Sequence, residues 1–255
     1  MIQIQNVSHV IGKSPILTGI TTRIPRHGIT ALIGPNGAGK STLLNLIARL
    51  TPLQSGQITV DDVDVSTAPT QELALKIAVV AQQLGVSSRL RVRDLVAFGR
   101  WPHHRGRPAQ RDEDAVDQAI AAFDLQALQY RFLDELSGGQ QQRAFVAMGV
   151  VQDTDWVLLD EPLNNLDMYH AKELTAGLHA MSRPGTERSR SIVMVVHEIN
   201  YVAAWADHIV ALKDGALVFS GPPDQVLTEP ILSDLFGMPI RVVSIDGKPV
   251  ILHHM

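Results

Sequence analysis

The sequence predicts an α/β fold with a mostly parallel β-sheet that is covered by helices on both faces. Three short runs, at residues 29–33, 156–159 and 191–196, are almost continuously apolar, and such runs are typical of strands buried on both sides. Longer stretches with apolar residues at helical spacing separate these runs. This alternation predicts the parallel arrangement, and a chain of 255 residues is long enough for one large domain or for a core with a subdomain.

The segments between the strands predict the helices. A helix is expected over residues 41–50, because Thr51 and Pro52 then end it. Apolar residues recur at helical spacing over residues 111–123, and the whole stretch 84–150 carries mostly helical signals. We therefore expect residues 84–150 to form a helical subdomain that is inserted into the α/β core.

Turn signals mark the rest of the chain. Asp214 and Asp246 are each followed by glycine and lie between apolar runs, which is the pattern of tight β-hairpins. A polar loop is expected over residues 181–187. The core of the single domain then comprises residues 1–83 and 151–255.

Composition narrows the function. The formal net charge is −4, whereas a protein that binds nucleic acid through bulk charge is normally basic. There is no cysteine, which excludes disulfides, thiolate metal ligands and cysteine nucleophiles. The first five residues lack the basic start and apolar run of a signal peptide, and no segment approaches the ~20 apolar residues that cross a bilayer. Work at a membrane would therefore require another chain to hold this one there.

A glycine-rich loop between a predicted strand and a predicted helix has the pattern G-x-x-x-x-G-K-[ST], which is typical of nucleoside triphosphate sites. Its glycines allow backbone N–H groups to face phosphate oxygens, and the helix that follows presents the positive end of its dipole. Lys40 can reach the β- and γ-phosphates, and the Ser41 hydroxyl can bind Mg²⁺. The alternative is a chance glycine turn before a helix. The loop consists of Gly34, Pro35, Asn36, Gly37, Ala38, Gly39, Lys40 and Ser41, followed by Thr42.

Two carboxylates, Asp160 and Glu161, follow a predicted buried strand. Ligands collect at the carboxyl ends of parallel strands, where the glycine-rich loop also lies. We expect Asp160 to hold Mg²⁺ directly or through water, and Glu161 to polarise the attacking water as a general base or an orienting group. The alternative is that both acids only cap the helix that follows. His197 also follows a buried strand, and its ordinary interpretation is a hydrogen-bonded histidine at a strand end.

A second glycine-containing string is the most specific in the chain. A small hydroxyl residue and two glycines precede an amphipathic helix, so that backbone N–H groups, the hydroxyl and the helix dipole again form an anion site. Two such elements but one lysine-bearing loop are explained most simply if two chains pair head to tail and each string covers the partner's nucleotide. The alternative is an ordinary serine N-cap. The string consists of Leu136, Ser137, Gly138, Gly139 and Gln140.

These motifs, in this order, resemble those of the nucleotide-binding subunits of ABC transporters, and the resemblance covers nearly the whole chain. It implies a P-loop NTPase core with a mostly parallel sheet, an N-terminal antiparallel β portion and an inserted helical subdomain. It also implies that ATP and Mg²⁺ are the ligands, that ATP hydrolysis is coupled to transport, and that a head-to-tail homodimer sandwiches ATP.

The resemblance assigns roles to further residues. Gln82 matches a glutamine that in the family contacts Mg²⁺ and couples to the membrane subunit, with the adjacent Gln83 as the alternative. His197 matches the family's histidine at the γ-phosphate. Ile11 stands where the family often has an aromatic residue on adenine, so the preference for ATP over GTP rests on the likeness. The family's D-loop is matched by Asn164, Asn165, Leu166 and Asp167, in which Asn164 and Asn165 replace the commoner serine and alanine.

A finer likeness concerns transport. Residues 96–103 are similar to a segment of ferric-siderophore, haem and cobalamin importers, and residues 161–168 look most like the ferric-siderophore branch. This likeness implies an importer ATPase at the cytoplasmic face of the membrane, with separate permease subunits, indirectly an extracytoplasmic substrate-binding protein, and no nucleic-acid partner. A haem or cobalamin importer ATPase stays open, and so does a soluble ABC-type ATPase acting on DNA or ribosomes.

A basic segment lies within the expected helical subdomain. It could face an acidic groove on a membrane subunit or anionic lipid headgroups. A plain solvated surface is an equally good interpretation. The segment contains Arg100, Arg105, Arg107 and Arg111, together with His103 and His104.

Overall fold

The computed structural model describes residues 1–81, 89–185 and 189–252. These residues form two larger β-sheets, a two-stranded C-terminal hairpin and the helices that pack against them. The strands are β1 (Ile2–Ile11), β2 (Ser14–Ile24), β3 (Gly28–Ile33), β4 (Ser55–Val60), β5 (Val63–Asp64), β6 (Ile77–Val80), β7 (Trp156–Asp160), β8 (Ser191–Val195), β9 (His208–Lys213), β10 (Ala216–Gly221), β11 (Arg241–Ile245) and β12 (Lys248–Leu252). The helices are α1 (Lys40–Ile47), α2 (Thr70–Lys76), α3 (Val92–Phe98), α4 (Trp101–His104), α5 (Gln110–Ala122), α6 (Gly138–Val151), α7 (Met168–Ser182), α8 (Ile199–Trp205), α9 (Pro223–Val226) and α10 (Glu229–Phe236).

The central sheet has six strands in the order β10-β9-β3-β8-β7-β6. The pairs β3–β8, β3–β9, β7–β8 and β6–β7 are parallel, and β10 runs antiparallel to β9 at one edge. Every residue of β3, β7 and β8 is buried. This burial explains why the three strands read as continuous apolar runs, and it confirms the predicted α/β fold class.

Different layers cover the two faces of the central sheet. Ile29, Ala31 and Ile33 of β3 pack into a core with α3, α5, α6, α7 and α8. Leu32, which points the other way, packs with α1 and with the second sheet. That sheet is antiparallel, with the order β2-β1-β4-β5. It is the N-terminal antiparallel portion that the family resemblance implied.

The stretch from residue 89 to residue 150 is mostly helical. It contains α3, α4, α5, two single 3₁₀ turns and nearly all of α6, which continues to Val151. Its described residues form no strand, although one isolated bridge joins Arg91 to Phe132. Two of these helices, α3 and α5, both contribute buried residues to the core that lies over β7 and β8.

Two predicted boundaries were wrong. The helix expected over residues 41–50 ends at Ile47, because Arg49 adopts a left-handed backbone with φ of 54°. The loop expected over residues 181–187 begins later, because α7 extends through Ser182. The Ser182 side chain is buried and its hydroxyl donates to the His179 carbonyl at 2.8 Å, which satisfies it inside the last turn.

Both Asp-Gly hairpins are present. Asp214 and Gly215 join β9 to β10 with φ of 49° and 74°. Asp246 and Gly247 join β11 to β12 with φ of 51° and 76°. Two positive φ angles in succession are the requirement of a type I′ turn, which these residue types meet. Among the residues that the structure describes, no helix is both long and apolar enough to span a bilayer.

Candidate nucleotide-binding site

The glycine-rich loop connects the end of β3 to the start of α1, as the motif requires. Gly34 has φ of 143°, and a Cβ there would lie 1.9 Å from the Leu212 carbonyl oxygen. Gly39 caps α1 with φ of 94°, and a Cβ there would lie 2.5 Å from a methyl carbon of Leu17. Both positions therefore need glycine, for backbone conformation and for space.

Lys40 lies folded into this loop. Its ammonium group donates to the carbonyl oxygens of Gly34 and Pro35, at 2.9 Å each. Burial lowers the pKa of Lys40, while the carboxylates of Glu161 and Asp160 oppose that shift. A positive charge is thus concentrated at the start of α1, where a phosphate oxygen could replace the loop carbonyls as its partner.

Ser41 and Asp160 meet at the base of the loop. The Ser41 hydroxyl donates to the Asp160 carboxylate at 2.8 Å. Burial raises the pKa of Asp160, which the hydrogen bond from Ser41 partly offsets. A hydroxyl and a carboxylate in contact are oxygen ligands of the kind that Mg²⁺ prefers. The two residues therefore fit a magnesium ion that would complete its shell with waters and nucleotide phosphate.

Glu161 occupies a special backbone position just after β7, with φ of 53°. Its Oε1 contacts His197 Nε2 at 2.6 Å, and its Oε2 accepts a hydrogen bond from the Asn164 side-chain amide. Asp160 and Glu161 do not cap the next helix, since α7 starts at Met168 and is capped by Asp167. The carboxyl ends of β7 and β8 thus bring Glu161 and His197 together.

A cavity of about 560 Å³ lies over the glycine-rich loop. Ile11 lines it, and so does Ile16, which sequence reasoning missed because nothing in the β2 pattern marks it. Gly34, Pro35 and Ala38 do not line it: the first two offer their carbonyls to Lys40, and Ala38 is buried in the core. The lining residues are Ile11, Ile16, Asn36, Gly37, Gly39, Lys40, Ser41, Thr42, Glu161 and His197.

The signature string lies in a different cavity, of about 390 Å³, which shares no lining residue with the first. Ser137 is the N-cap of α6: its hydroxyl accepts from the Gln140 N–H at 3.3 Å, and the Gln140 side chain accepts from the Ser137 N–H at 3.1 Å. Leu136 is buried instead in the core. The lining residues are Ser137, Gly138, Gly139, Gln140, Arg143, Asn165, Leu166, Asp167 and His170.

The D-loop residues form one wall of this signature cavity. A Cβ at Gly138 would lie 3.1 Å from the Asn165 Cβ, and a Cβ at Gly139 would lie 3.1 Å from the Asn165 carbonyl. Asp167 accepts from the His170 N–H at 2.8 Å and contacts its ring, and these contacts hold the pKa of Asp167 below its usual range. Ser137 thus caps α6 and also lines the signature cavity, next to the polar D-loop residues.

Two sequence predictions have other outcomes. Gln82 lies outside the described residues. Arg100 does not belong to a surface patch: it is buried, it donates to Asp112 at 3.0 Å and it donates to the Val151 carbonyl at 3.1 Å. The prediction of a surface arginine was wrong because Arg100 pairs with the buried carboxylate of Asp112, a contact that the spacing of twelve residues does not indicate.

Comparison with known sequences identifies the family. The sequence profile of the family described as ABC transporter matches residues 17–164. The chain belongs to the ABC transporter family. As a member of it, the chain is an ATP-binding ATPase.

Two curated members of the ABC transporter family match nearly the whole chain. The petrobactin import ATP-binding protein YclP of Bacillus subtilis (strain 168) is 40% identical over 98% of this chain and 98% of its own. The ferric enterobactin transport ATP-binding protein FepC of Escherichia coli (strain K12) is 34% identical over 94% of this chain and 89% of its own. The resemblance to the family's siderophore branch is thereby confirmed.

Solved ABC structures share the fold. A structure described as a metal-chelate type ABC transporter in an inward-facing conformation has a TM-score of 0.82 at 24% identity and covers 99% of this chain and 98% of its own. The dimeric ATP-binding cassette MJ0796, in a post-hydrolysis state bound to ADP and Pi, has a TM-score of 0.78 at 24% identity and covers 87% of this chain and 98% of its own. Both confirm the ATPase cassette fold.

Proposed function

We propose that this chain is the ATP-hydrolysing subunit of an importer that takes up a ferric siderophore through separate membrane permease subunits. The observation that carries this proposal is the 40% identity to a petrobactin import ATP-binding protein, which extends over 98% of both chains. The cavity over the glycine-rich loop and the signature cavity supply the groups for ATP binding and hydrolysis. A haem or cobalamin importer ATPase is the alternative, and a soluble ABC-type ATPase is a weaker one.

The first cavity is the proposed ATP site. Asn36, Gly37 and Gly39 place their backbones around the phosphates, and Lys40 neutralises the charge that phosphoryl transfer develops. Ser41 and Asp160, with Gln82, would hold Mg²⁺, which would supply positive charge to neutralise the phosphate oxygens. Ile11 and Ile16 supply an apolar surface for the base.

Glu161 and His197 are proposed to act at the γ-phosphate. Glu161 takes up a proton from the water whose oxygen forms the new bond to phosphorus, while the bond to the β-phosphate oxygen breaks and ADP leaves. His197 contacts the γ-phosphate and holds the Glu161 carboxylate. Their contact at 2.6 Å in the present structure shows that one wall of the cavity carries both groups.

The second cavity is proposed to complete the ATP site of another copy. Ser137 and Gly139 present a hydroxyl and a helix N-terminus, but Lys40 and Glu161 of the same chain line the other cavity. A head-to-tail homodimer brings each signature string onto the partner's γ-phosphate. We also propose that residues 84–150 form one unit beside the core of residues 1–83 and 151–255.

An apolar groove on the helical stretch supports the proposed permease contact. It has a volume of about 440 Å³ and is lined by α3, α4 and α5. Phe98 and Trp101, both at its rim, are more than half exposed, at 53% and 55%. Such side chains stabilise protein contacts by burial. Binding of a permease subunit to this groove would place the chain at the cytoplasmic face of the membrane. The proposed substrate-binding protein would act on the other side of the membrane, and the proposal includes no nucleic-acid partner.

Uptake measurements test the proposed function. In cells that lack the gene, the parent chain is expected to restore accumulation of ⁵⁵Fe from ferric siderophores, whereas Lys40→Ala is not. Ferric petrobactin, ferric enterobactin and an iron(3+)-hydroxamate would be compared with haem and cobalamin. Restoration of haem or cobalamin uptake alone would support the alternative importer. An active ATPase that restores no uptake at all would contradict a transport role.

A further inference from the structure

We propose that Asn164 is a positioning residue for Glu161, which it holds in the orientation needed to prepare the attacking water. This inference rests on the proposed ATPase site, and it gives the first residue of the D-loop a contact with Glu161 that the sequence motif alone does not indicate. Asn164 stands where the family more commonly has serine, and its longer amide reaches the Glu161 carboxylate.

The backbone brings Asn164 onto Glu161. A turn joins the two residues, in which the Asn164 N–H donates to the Glu161 carbonyl at 3.2 Å. Glu161 adopts a left-handed φ of 53°, a conformation that costs a non-glycine residue energy and needs support from its surroundings. The turn directs the Asn164 amide back to the Glu161 carboxylate, where it donates to Oε2.

Glu161 is therefore held from two sides. Its Oε1 contacts His197, which follows β8, and its Oε2 contacts Asn164, which follows β7. The carboxylate is largely buried, with 11% of its side chain exposed. A donor on each oxygen fixes the rotation of the carboxylate plane.

Asn164 acts from behind the site. Glu161 and His197 line both the ATP cavity and a separate cavity of about 260 Å³, whereas Asn164 lines only the latter of these two. The amide thus reaches the carboxylate without lining the cavity over the glycine-rich loop. Because Asn164 itself is exposed, its loss leaves no buried hole, and we expect its effect on hydrolysis to act through Glu161.

The structure predicts a selective loss of turnover in Asn164→Ala. We expect kcat for ATP to fall about tenfold, with KM changed by less than about twofold, because positioning affects the transition state and not ground-state binding. Asn164→Asp has the same shape but replaces the donor with a second carboxylate, so its loss should be at least as large. Asn164→Ser keeps a donor and should lie between Asn164→Ala and the parent chain.

A double-mutant cycle separates positioning from a general structural role. In a Glu161→Ala background, adding Asn164→Ala should leave the residual hydrolysis unchanged, because the group on which Asn164 acts is gone. The inference would be overturned if Asn164→Ala lowered the hydrolysis rate by the same factor in the parent chain and in Glu161→Ala. It would also be overturned if Asn164→Ala in the parent chain hydrolysed ATP at the parent rate or faster. A parent chain without ATPase activity would instead contradict the proposed function. Thermal unfolding of each variant is the folding control.

Discussion

Glu161→Gln is expected to hydrolyse ATP on the order of 10³ times more slowly than the parent chain while still binding it, since positioned general bases contribute ~10²–10⁴-fold. Glutamine has nearly the shape of glutamate, so it can occupy the same space, with one oxygen in place of two to accept a hydrogen bond from His197 or Asn164. It carries no charge, and its amide cannot take up the proton of the attacking water. The loss should therefore appear in kcat.

Slow hydrolysis should trap the variant as a dimer. If two copies close on ATP and hydrolysis reopens them, Glu161→Gln with ATP and Mg²⁺ should sediment as a dimer, and with ADP as a monomer. Glu173→Gln makes the same chemical change on the exposed face of α7 and serves as the matched control. A Glu161→Gln chain that stays monomeric with ATP and turns over at the parent rate would show that the assigned role is wrong.

Ser137→Arg should abolish hydrolysis and leave ATP binding by the isolated chain intact. The arginine side chain would occupy the signature cavity, which lies apart from the ATP cavity of the same chain. A partner's γ-phosphate could then no longer approach the start of α6. Stopped turnover can be measured by phosphate release, and binding by fluorescence titration with a labelled ATP.

The matched control for Ser137→Arg is Ser137→Ala. Both variants lose the hydrogen bond from the Gln140 N–H, which costs about 1 kcal/mol of helix stability, but only the first fills the cavity. We expect Ser137→Ala to keep measurable turnover. If Ser137→Arg instead prevented the isolated chain from binding ATP, the signature would belong to its own chain's site.

The predictable parts of the fold are the strands whose burial requires a recognisable run of apolar residues. Strands β3, β7 and β8 are covered on both faces, so each appears as an apolar run whose end locates the chemistry. The strict spacing of the motif likewise placed Lys40 in the cavity over the glycine-rich loop. Helix ends were less predictable, because the left-handed residue that follows α1 is Arg49 and not the glycine that usually marks such a position.

Contacts between side chains that are distant in the chain could not be predicted from the sequence pattern. Nothing in the pattern of β2 indicates that Ile16 lines the ATP cavity beside Ile11. The pairing of Arg100 with Asp112 turned an expected surface charge into a buried one. The hydrogen bond from Asn164 to Glu161 depends on a left-handed turn that local composition does not encode.

The account depends on a site that two copies share, and the concentration dependence of hydrolysis tests this most directly. For the purified chain at saturating ATP and Mg²⁺, the rate per chain should rise in proportion to protein concentration while dimers are rare, and then level off. A rate per chain that stays constant down to high dilution, where sedimentation shows only monomers, would contradict the shared site.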